Sequence, residues 1–367
     1  MPKILILANN DIGLYKFRKE LIEELVKDNE VFISLPGGEF VKDLVNIGCI
    51  FINTKINRRS TNPFADLKLM VDYKKIFREV KPDVVLSYTI KPNIYGGIIC
   101  RITKTPYISN ITGLGTALEN SGFLQNATVF LYKLALKKAR CVFFQNRENA
   151  DFMNRKSIIR GKQRIIPGSG VNLDCFKILD YPNDKNTNFL FISRIMKEKG
   201  IEQYIETAKY ISKKYPFTRF HVCGFCEEDY EEILEDLQKR GIIIYHGMVR
   251  DVREVLKETH CTIHPSYYPE GMSNVLLESA ACGRPIITTN RSGCKEIVDD
   301  GINGYLVEQM NTQDLIEKVE KFINLSFDEK MQMGLAGRSK VEKEFDRQIV
   351  INAYLEELKN IEDSYEL

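Results

Sequence analysis

The sequence of 367 residues lacks the features that define several large classes of protein. No apolar run approaches the ~18 residues that would span a bilayer. The opening stretch from Lys3 to Ala8 is too short for a secretory signal and is followed by the polar Asn9. The nine cysteines, an odd number scattered along the chain, favour reduced thiols in a cytosol over a disulfide framework. Secreted, fibrous and membrane-spanning classes are therefore excluded.

Familiar nucleotide-binding and hydrolase motifs are also absent. No G-x-G-x-x-G follows the first predicted strand, where residues 8–14 contain a single glycine, Gly13. The chain has no Walker loop and no G-x-S-x-G elbow. It also lacks an Asp-x-Asp triplet, which tethers a nucleotide diphosphate through a divalent metal. Any phosphate would therefore be neutralised by Arg, Lys and backbone N–H groups, and we predict no metal site and no cofactor.

The composition, with 44% hydrophobic and 28% charged residues, indicates a folded chain long enough for two domains. The net charge of +2 conceals an asymmetry. Through Cys175 the chain has 27 Lys and Arg against 16 Asp and Glu, whereas the remainder has 25 against 34. Such asymmetry suggests that one half faces an anionic partner, although chance composition on two solvated surfaces would look the same. We find no zinc-finger spacing and no aromatic RNA-binding signature, so nucleic acid is not predicted as the partner.

Short apolar runs alternate with longer amphipathic stretches along the chain. Ile4–Leu7 predicts a buried strand and Leu14–Val26 a helix, and the alternation restarts at Asn188–Ser193 after a polar linker at 179–186. This pattern is typical of βαβ units, which build parallel sheets with helices on both faces. We therefore predict an α/β fold of two parallel-sheet domains that face each other across a cleft, with the first domain ending at residue 178.

The stretch 264–278 carries the most chemical information. A predicted strand is followed by a loop with Glu270, and Ser273 is suited to cap a helix that begins at Asn274. The N–H groups at the start of that helix would point into the loop and bind a diphosphate. Glu278 lies about one helical turn further on, where it would hold a ribose. Glu270 would then contact a sugar on the distal phosphate.

Two cations follow the first strand of the second half. Arg194 and Lys199 lie where that strand gives way to a helix, so both side chains could reach the same diphosphate. Fixed cations there would stabilise a departing nucleoside diphosphate without a metal. Each of these charged residues, taken alone, is typical of a solvent-exposed protein surface. Their combination, in this order and on these elements, favours a nucleotide-sugar site.

The combination of Arg194, Lys199 and Glu270-x7-Glu278 resembles the family 4 retaining glycosyltransferases of GT-B architecture. Further similarity lies in Val222-Cys223-Gly224, His246-Gly247 and Asp300-Gly301-Ile302-Asn303-Gly304. The resemblance implies a GT-B fold of two Rossmann-like domains, residues 1–178 and 179–351. The second domain would bind the donor and the first the acceptor, and a last helix, about 352–367, would pack back on the first domain. It also implies retention by front-side attack without an enzyme nucleophile. Arg194, Lys199 and Glu270 would be catalytic, and the implied donor-binding residues are Gly13, Gly224, His246, Val249, Gly271, Met272, Ser273, Asn274, Val275 and Glu278.

The first half resembles the subgroup that extends sugars on undecaprenyl diphosphate in capsule and O-antigen synthesis. The residues that this resemblance assigns to the acceptor are Arg18, Arg58, Arg59, Lys91, Asn93 and Thr112. One departure from the family pattern is Ile90, which stands where several relatives carry a histidine. We predict that the adjacent Lys91 contacts a phosphate instead. The subgroup favours a UDP-linked N-acetylhexosamine as donor and a lipid-diphosphate-linked glycan as acceptor.

A membrane surface is the third predicted partner. Basic residues cluster at 55–81 and 133–164, and apolar side chains lie nearby at Phe123, Leu124, Val129, Phe130 and Leu134. A basic and partly apolar face would bind anionic lipid headgroups, which predicts a cytoplasmic protein attached to the inner face of the plasma membrane. In the alternative interpretation Phe130 and Leu134 belong to the core.

Two other functions remain open at this stage. A nucleotide-sugar 2-epimerase can share this architecture, and a non-catalytic scaffold could keep the fold, although the intact site residues argue against the latter. Cys223-x-x-Cys226 has no second pair at ligand spacing, so it does not predict a metal site. His260 and His264 would lie roughly 13 Å apart along a strand, too far to share an ion.

Overall fold

The computed structural model describes residues 1–57, 62–115, 118 and 122–364, which fold into two compact units. The first unit is Met1–Ser169 with Gln348–Leu367, and the second is Gly170–Arg347. Both units are parallel-sheet α/β structures, which confirms the predicted fold class. The first boundary differs from the prediction, because the N–H of Val171 donates to the carbonyl of Phe345 at 2.9 Å. Residues 170–178 therefore belong with the second unit.

The first unit is built on one parallel sheet. Its strands are β1 (Lys3–Leu7), β2 (Glu30–Leu35), β3 (Ile50–Asn53), β4 (Val84–Tyr88), β5 (Tyr107–Ile111), β6 (Cys141–Phe144) and β7 (Lys162–Ile165). Within the described residues these seven strands have the order β3-β2-β1-β4-β5-β6-β7. The order reverses between β1 and β4, where Ile6 is in register with Leu86.

Helices cover both faces of this sheet. They are α1 (Asp11–Asp28), α2 (Val41–Ile47), α3 (Pro63–Val80), α4 (Gly97–Thr103), α5 (Phe123–Leu136) and α6 (Arg147–Arg155), and a π-helical turn (Pro92–Gly96) precedes α4. Helix α1 begins three residues before the predicted Leu14, because the side chain of Asn10 caps it by accepting from the Gly13 N–H at 2.6 Å.

The second unit repeats the architecture. Its strands are β8 (Thr187–Ile192), β9 (Thr218–Cys223), β10 (Ile244–Tyr245), β11 (Cys261–His264), β12 (Ile286–Thr289) and β13 (Gly304–Val307), in the order β10-β9-β8-β11-β12-β13. Its helices are α7 (Ile201–Lys214), α8 (Glu231–Lys239), α9 (Val252–Glu258), α10 (Asn274–Ala281), α11 (Thr312–Ile323) and α12 (Phe327–Glu344). Helix α13 (Arg347–Asp363) belongs to the first unit from Gln348 onward. None of the described helices combines the length and apolar character needed to cross a bilayer.

The continuous apolar strands are explained by burial on both sheet faces. In β1, Ile4 and Ile6 join one core cluster, while Leu5 and Leu7 join another on the opposite face. In each unit the strand order reverses near the middle of the sheet, between β1 and β4 or between β8 and β11. Open α/β sheets bind ligands outside the carboxyl ends of the strands at such a point.

Candidate active site

Two loops meet at the carboxyl ends of the central strands of the second unit. Residues 193–200 follow β8, and residues 265–273 follow β11. The backbone N–H of Tyr267 donates to the carbonyl of Glu198 at 2.9 Å, which ties the loops to each other. The residues predicted to act on the leaving diphosphate therefore share the edge at which the strand order reverses.

Among the described residues, Lys199, His264 and Ser266 contact Glu270. Lys199 forms an ion pair with its Oε1. The Nε2 of His264 and the Oγ of Ser266 lie 3.4 and 3.3 Å from the same oxygen. The side chains of Lys199 and Glu270 are only 9% and 12% exposed. Burial acts to raise the pKa of Glu270, but Lys199 and His264 outweigh it and hold that pKa well below its usual range, so Glu270 is a carboxylate at neutral pH.

Arg194 lies beside this pair and is held by an acid and an aromatic ring. Its guanidinium forms an ion pair with Glu227, which follows β9. The centroid of the Tyr268 ring lies 5.3 Å from the guanidinium carbon of Arg194 and 4.7 Å from the Nζ of Lys199. An aromatic face attracts cations, so Tyr268 holds two like charges near each other. Sequence reasoning missed Glu227 and Tyr268; for Tyr268 the available signal was an aromatic residue two positions before Glu270.

A third loop contacts Glu270 from beyond β12. Gly293 has φ +92°, and a Cβ added there would come within 3.1 Å of the Glu270 Cβ. Glu296 fixes this loop by accepting from the Gly293 N–H at 2.7 Å and from the Ser292 Oγ at 2.8 Å. Glycine is therefore needed at position 293 for Glu270 to keep its place. We did not predict this loop, although a Ser-Gly pair shortly after a strand is a turn signal.

Helix α10 begins at Asn274, with Ser273 at the N-cap position as predicted. However, the Ser273 side chain makes no capping hydrogen bond and lies 3.5 Å from the Nε2 of His264. The Ser273 N–H donates to the carbonyl of Gly293 at 2.7 Å, so the expectation that it points at a ligand is wrong. Any anion site at this helix therefore depends on the later N–H groups. Glu278 lies one turn further along α10 and is half-buried.

The first residue predicted to flank a base has a structural role. Gly224 has φ +141°, and a Cβ there would lie 1.7 Å from the carbonyl oxygen of Ser193. Its N–H donates to the carbonyl of Gly247 at 2.8 Å. Gly224 thus lets the loop after β9 pack against the residue that precedes Arg194.

The other two predicted base-flanking residues lie on the loop after β10. His246 is exposed, and its Nε2 lies 2.9 Å from the Nδ1 of the buried His221. Burial, together with His246 and Arg219, lowers the pKa of His221 to about 4, and burial also lowers the pKa of His246. The pair is therefore neutral at pH 7. Val249 is partly buried and packs on a small apolar cluster that includes Ile192.

In the first unit, two predicted ligand contacts are already occupied by protein groups. Lys91 forms an ion pair with Asp66 at 2.6 Å, and the hydroxyl of Tyr95 donates to the same carboxylate at 2.7 Å. The N–H of Gly13 is used by the Asn10 cap. The contacts of Lys91 and Gly13 seen here thus tie helices to neighbouring elements of the first unit.

Asn93 is fully buried and structural. It accepts from the Ser87 hydroxyl at 2.7 Å and donates to the carbonyl of Asn110 at 2.8 Å, so its assignment to the acceptor is corrected. Thr112 directly follows β5 and is half-buried. Arg18 lies on α1 and is buried. The predicted Arg58 and Arg59 lie outside the described residues.

Among the described residues, the ligand atoms of His264, Glu270 and Cys294 lie within 4.8 Å of one another, as in a metal site. Their environment does not fit a metal ion. The Lys199 ammonium already contacts the Glu270 carboxylate. Burial and Glu270 raise the pKa of Cys294, so its thiol is protonated and a poor ligand.

Comparison with known families relates both halves of the chain to glycosyltransferases. Residues 180–340 match the family model described as Glycosyl transferases group 1, and residues 3–146 match Glycosyl transferase 4-like. These ranges contain β8 to β13 and β1 to β6. Both halves of the chain therefore resemble glycosyltransferase family models.

Named relatives extend this result over nearly the whole chain. The chain is 29% identical, over 96% of its length and 97% of the relative, to N,N'-diacetylbacillosaminyl-diphospho-undecaprenol alpha-1,3-N-acetylgalactosaminyltransferase of Campylobacter jejuni. It is 27% identical, over 94% of its length and 93% of the relative, to the capsular polysaccharide biosynthesis glycosyltransferase CapM of Staphylococcus aureus.

A solved structure supports the same fold. HepE of Anabaena, crystallised with UDP and glucose, is 16% identical and superposes with a TM-score of 0.79 over 98% of this chain and 100% of that chain. The chain is therefore related over nearly its whole length to glycosyltransferases, and it has the fold of their GT-B class.

Proposed function

We propose that this chain is a retaining family 4 glycosyltransferase that moves a sugar from a UDP-sugar to an undecaprenyl-diphosphate-linked saccharide in cell-surface polysaccharide synthesis. The observation that carries the proposal is the meeting of Arg194, Lys199 and Glu270 where β8 and β11 end, next to the start of α10. The name of the Campylobacter jejuni relative supports an N-acetylhexosamine as the sugar and a lipid diphosphate as its carrier. The UDP bound by the Anabaena structure supports UDP as the nucleotide.

The proposed reaction exchanges one bond at the anomeric carbon. The bond to the diphosphate oxygen breaks, the acceptor hydroxyl oxygen bonds to the same face of the sugar, and the hydroxyl proton passes to the leaving phosphate. Lys199 and Arg194 stabilise the charge that develops on that phosphate, since fixed cations in a partly buried site interact with it strongly. Glu270 accepts from a hydroxyl of the transferred sugar, and Glu278 holds the ribose.

We also propose that transfer needs no divalent metal, because two cations already face the leaving group and Lys199 contacts the carboxylate that a metal would need. EDTA should leave the rate unchanged after removal of adventitious ions. Loss of activity with EDTA and recovery with Mg²⁺ or Mn²⁺ would contradict this part of the proposal.

The central experiment incubates the protein with UDP-N-acetylhexosamines, with and without a lipid-diphosphate-linked saccharide. We expect release of UDP only when the acceptor is present, and an α-configured product by NMR from an α-configured donor. A new sugar nucleotide formed without acceptor would instead identify a 2-epimerase. Nucleotide binding without turnover would identify a scaffold, and an inverted product would exclude retention.

The first unit supports the further proposal of attachment to the inner face of the plasma membrane. On α3 the side chains of Phe64, Leu67 and Val71 share one helical face and are 81%, 60% and 60% exposed. On α5, Phe123 and Phe130 are 89% and 60% exposed. Both helices pack against the Pro92–Gly96 turn, so the two apolar faces belong to the same side of the sheet.

Charge complementarity identifies the surface that these faces fit. Exposed basic residues flank the apolar ones on both helices and their ends: Lys68, Lys74, Lys75, Arg78, Lys133, Lys137, Lys138 and Arg140. Basic and apolar groups together favour an anionic bilayer. Of the predicted apolar set, Val129 is buried and belongs to the core, whereas Leu124 and Leu134 are exposed like Phe123 and Phe130.

Vesicle sedimentation tests this surface. We expect binding to vesicles that contain phosphatidylglycerol, weaker binding to pure phosphatidylcholine, and a clear loss for Phe64→Ser combined with Phe123→Ser. Ile302→Ser is the matched control, because Ile302 is an apolar residue of the second unit that is 64% exposed. Equal binding by the double variant and the control would contradict the proposal.

A further inference from the structure

Arg18 is a buried cation with few hydrogen-bond acceptors. The residue is 5% exposed, and its Nη1 donates to the carbonyl of Phe17 at 3.0 Å. Its guanidinium carbon lies 5.1 Å from the centroid of the Tyr88 ring. Within the described part of the chain no carboxylate pairs with it. A guanidinium has five N–H donors, and a buried charge without an opposite charge is costly, so Arg18 calls for a compensating anion.

The buried Arg284 illustrates the alternative, in which the protein itself satisfies a guanidinium. Arg284 is 1% exposed and also lies over a tyrosine ring, that of Tyr181. Its nitrogens donate to four backbone carbonyls, at 2.8 Å to Leu256 and Asp180 and at 3.2 Å to Leu179 and Cys282. Within the described residues Arg18 has one backbone carbonyl acceptor, so more of its N–H donors remain for a ligand.

A second donor lies next to Arg18. Tyr88 ends β4 and is 5% exposed, and its hydroxyl is buried without a hydrogen-bond partner among the described residues. Burial and Tyr354 raise the pKa of Tyr88 well above its usual range and outweigh the opposing effect of the nearby Arg18, so the hydroxyl keeps its proton. Tyr354 on α13 accepts from the Nδ2 of Asn110 at 2.7 Å, and its ring lies 6.2 Å from that of Tyr88.

The backbone after Tyr88 is irregular. Thr89 has φ +70°, which is rare for a β-branched residue, and its Oγ1 is also buried without a partner in the described chain. The π-helical turn Pro92–Gly96 follows. Strained and π-helical segments are frequent at ligand sites, and this one lies where the sheet order of the first unit reverses.

We propose that Arg18 and Tyr88 form an anion seat that binds one phosphate group of a diphosphate. The guanidinium supplies N–H donors to phosphate oxygens and the opposite charge that the interior lacks, and the Tyr88 hydroxyl donates to the same group. That this diphosphate is a substrate rests on the proposed function; its source is either the lipid-linked acceptor or the nucleotide.

Calorimetric titration with inorganic pyrophosphate tests the seat directly. All variants carry Lys199→Ala, which weakens binding at the second unit. We expect Tyr88→Phe to weaken pyrophosphate binding about tenfold and Arg18→Met at least ~100-fold, as for the loss of one and of several hydrogen bonds to a charged group. Tyr73→Phe is the matched control: its hydroxyl is also buried without a partner in the described chain, but it lies in the apolar core under α3. It should bind like the parent.

Thermal unfolding separates this role from a structural one. Arg18→Met replaces an unpaired buried charge by an apolar chain of similar length, so we expect the melting temperature to stay the same or rise. Pyrophosphate should raise the melting temperature of the parent but not that of Arg18→Met. Equal pyrophosphate affinity in the parent, Tyr88→Phe and Tyr73→Phe would overturn the proposal. If Arg18→Met unfolds, the Tyr88→Phe result decides, since that change removes one oxygen atom only.

Kinetics with the otherwise wild-type chain identify the source of the diphosphate. A rise in KM for the lipid-linked acceptor alone in Tyr88→Phe assigns the seat to the acceptor, and a rise in KM for the UDP-sugar alone assigns it to the donor. An unchanged KM for both would overturn the seat as a substrate site. Absence of any transfer by the wild type would instead defeat the proposed function, while the pyrophosphate titration still tests the seat.

Discussion

The two units treat the positive charges at their strand-order reversals in different ways. In the second unit, Lys199 and Arg194 contact the carboxylates of Glu270 and Glu227. In the first unit, Arg18 has no acid partner in the part of the chain that the structure describes. Paired cations are fixed in position before a ligand arrives, which is the preorganisation that favours catalysis. An unpaired buried cation gains its counter-ion from the ligand, which favours binding.

The helix that follows β1 and the helix that follows β11 also differ in how their first turns are capped. The side chain of Asn10 caps α1, whereas the side chain of Ser273 makes no capping bond to α10. At the start of α1 the N-cap side chain is bonded to the helix itself, whereas at the start of α10 the Ser273 hydroxyl lies beside His264. Four predictions follow from this contrast, in order of decreasing effect.

Breaking the charge pair of the second unit has the largest expected effect. Lys199→Ala leaves Glu270 buried without its cation, and Glu270→Ala removes the contact to the sugar, so each should lower turnover at least ~100-fold. The rate of UDP release with saturating acceptor measures this. Lys197→Ala is the control, because Lys197 lies on the same turn, is 62% exposed and reaches Glu202 only at 3.7 Å. Wild-type rates in both site variants would refute the assignment.

Acid should destabilise the second unit before the first. All histidines of the sequence, His221, His246, His260 and His264, lie in the second unit. Burial lowers the pKa of His221 and of His260 to about 4. The pKa of histidine in the unfolded chain is ~6.5, so between that pH and pH 4 the unfolded state binds more protons than the folded state. The stability contribution of these histidines is therefore full above pH 6.5 and falls as the pH drops through this window.

The expected loss is about 2 kcal/mol per buried histidine between pH 7 and pH 5. Native-state hydrogen exchange, resolved by residue, can follow β9 and β1 separately. His221→Phe should remove one histidine's share of the pH dependence in the second unit. Equal loss of protection in both units over this range would contradict the prediction.

Removing the aromatic ring between the cations should have a smaller effect. Tyr268→Leu loses a face that lies 4.7 Å from the Lys199 Nζ, and cation–π contacts of about 0.5–2 kcal/mol predict a fall in kcat of about tenfold. Tyr268→Phe keeps the ring and should restore most of kcat. Tyr267→Leu serves as the control, since Tyr267 donates to the carbonyl of Glu198 through its backbone N–H, which leucine keeps. An equal loss in Tyr268→Phe would point to the hydroxyl instead of the ring.

The fold was predictable where strands are buried on both faces. Apolar runs such as 4–7 and 188–193 identified β1 and β8, and together with their helices they gave the fold class. Strand β7 was missed because it lies at the sheet edge, with the polar sequence KQRI and mostly exposed side chains. Helix α6 was missed because its sequence RENADFMNR is mostly polar.

The site was predictable only where residue type and spacing carry the chemistry. Arg194, Lys199 and Glu270 were identified from a motif, and the structure brings them to one edge. Contacts between residues that are distant in sequence have no such motif: Glu227 and Gly293 contact the site from other loops. Site residues were harder to predict in the first unit. Whether a polar residue there can contact a ligand depends on its burial in the fold.

The helix starts offer the smallest and most direct test of the difference between the units. Asn10→Ala removes an oxygen that accepts from the Gly13 N–H at 2.6 Å, so we expect a loss of about 1 kcal/mol of unfolding free energy in the first unit. Ser273→Ala removes a hydroxyl that makes no capping bond, so the second unit should lose only a few tenths of that amount. Denaturant unfolding measures both, with hydrogen exchange at β1 and β8 to assign the change to a unit. If Ser273→Ala lost as much unfolding free energy as Asn10→Ala, the Ser273 side chain would have to be the cap of α10. A diphosphate would then have to displace that cap.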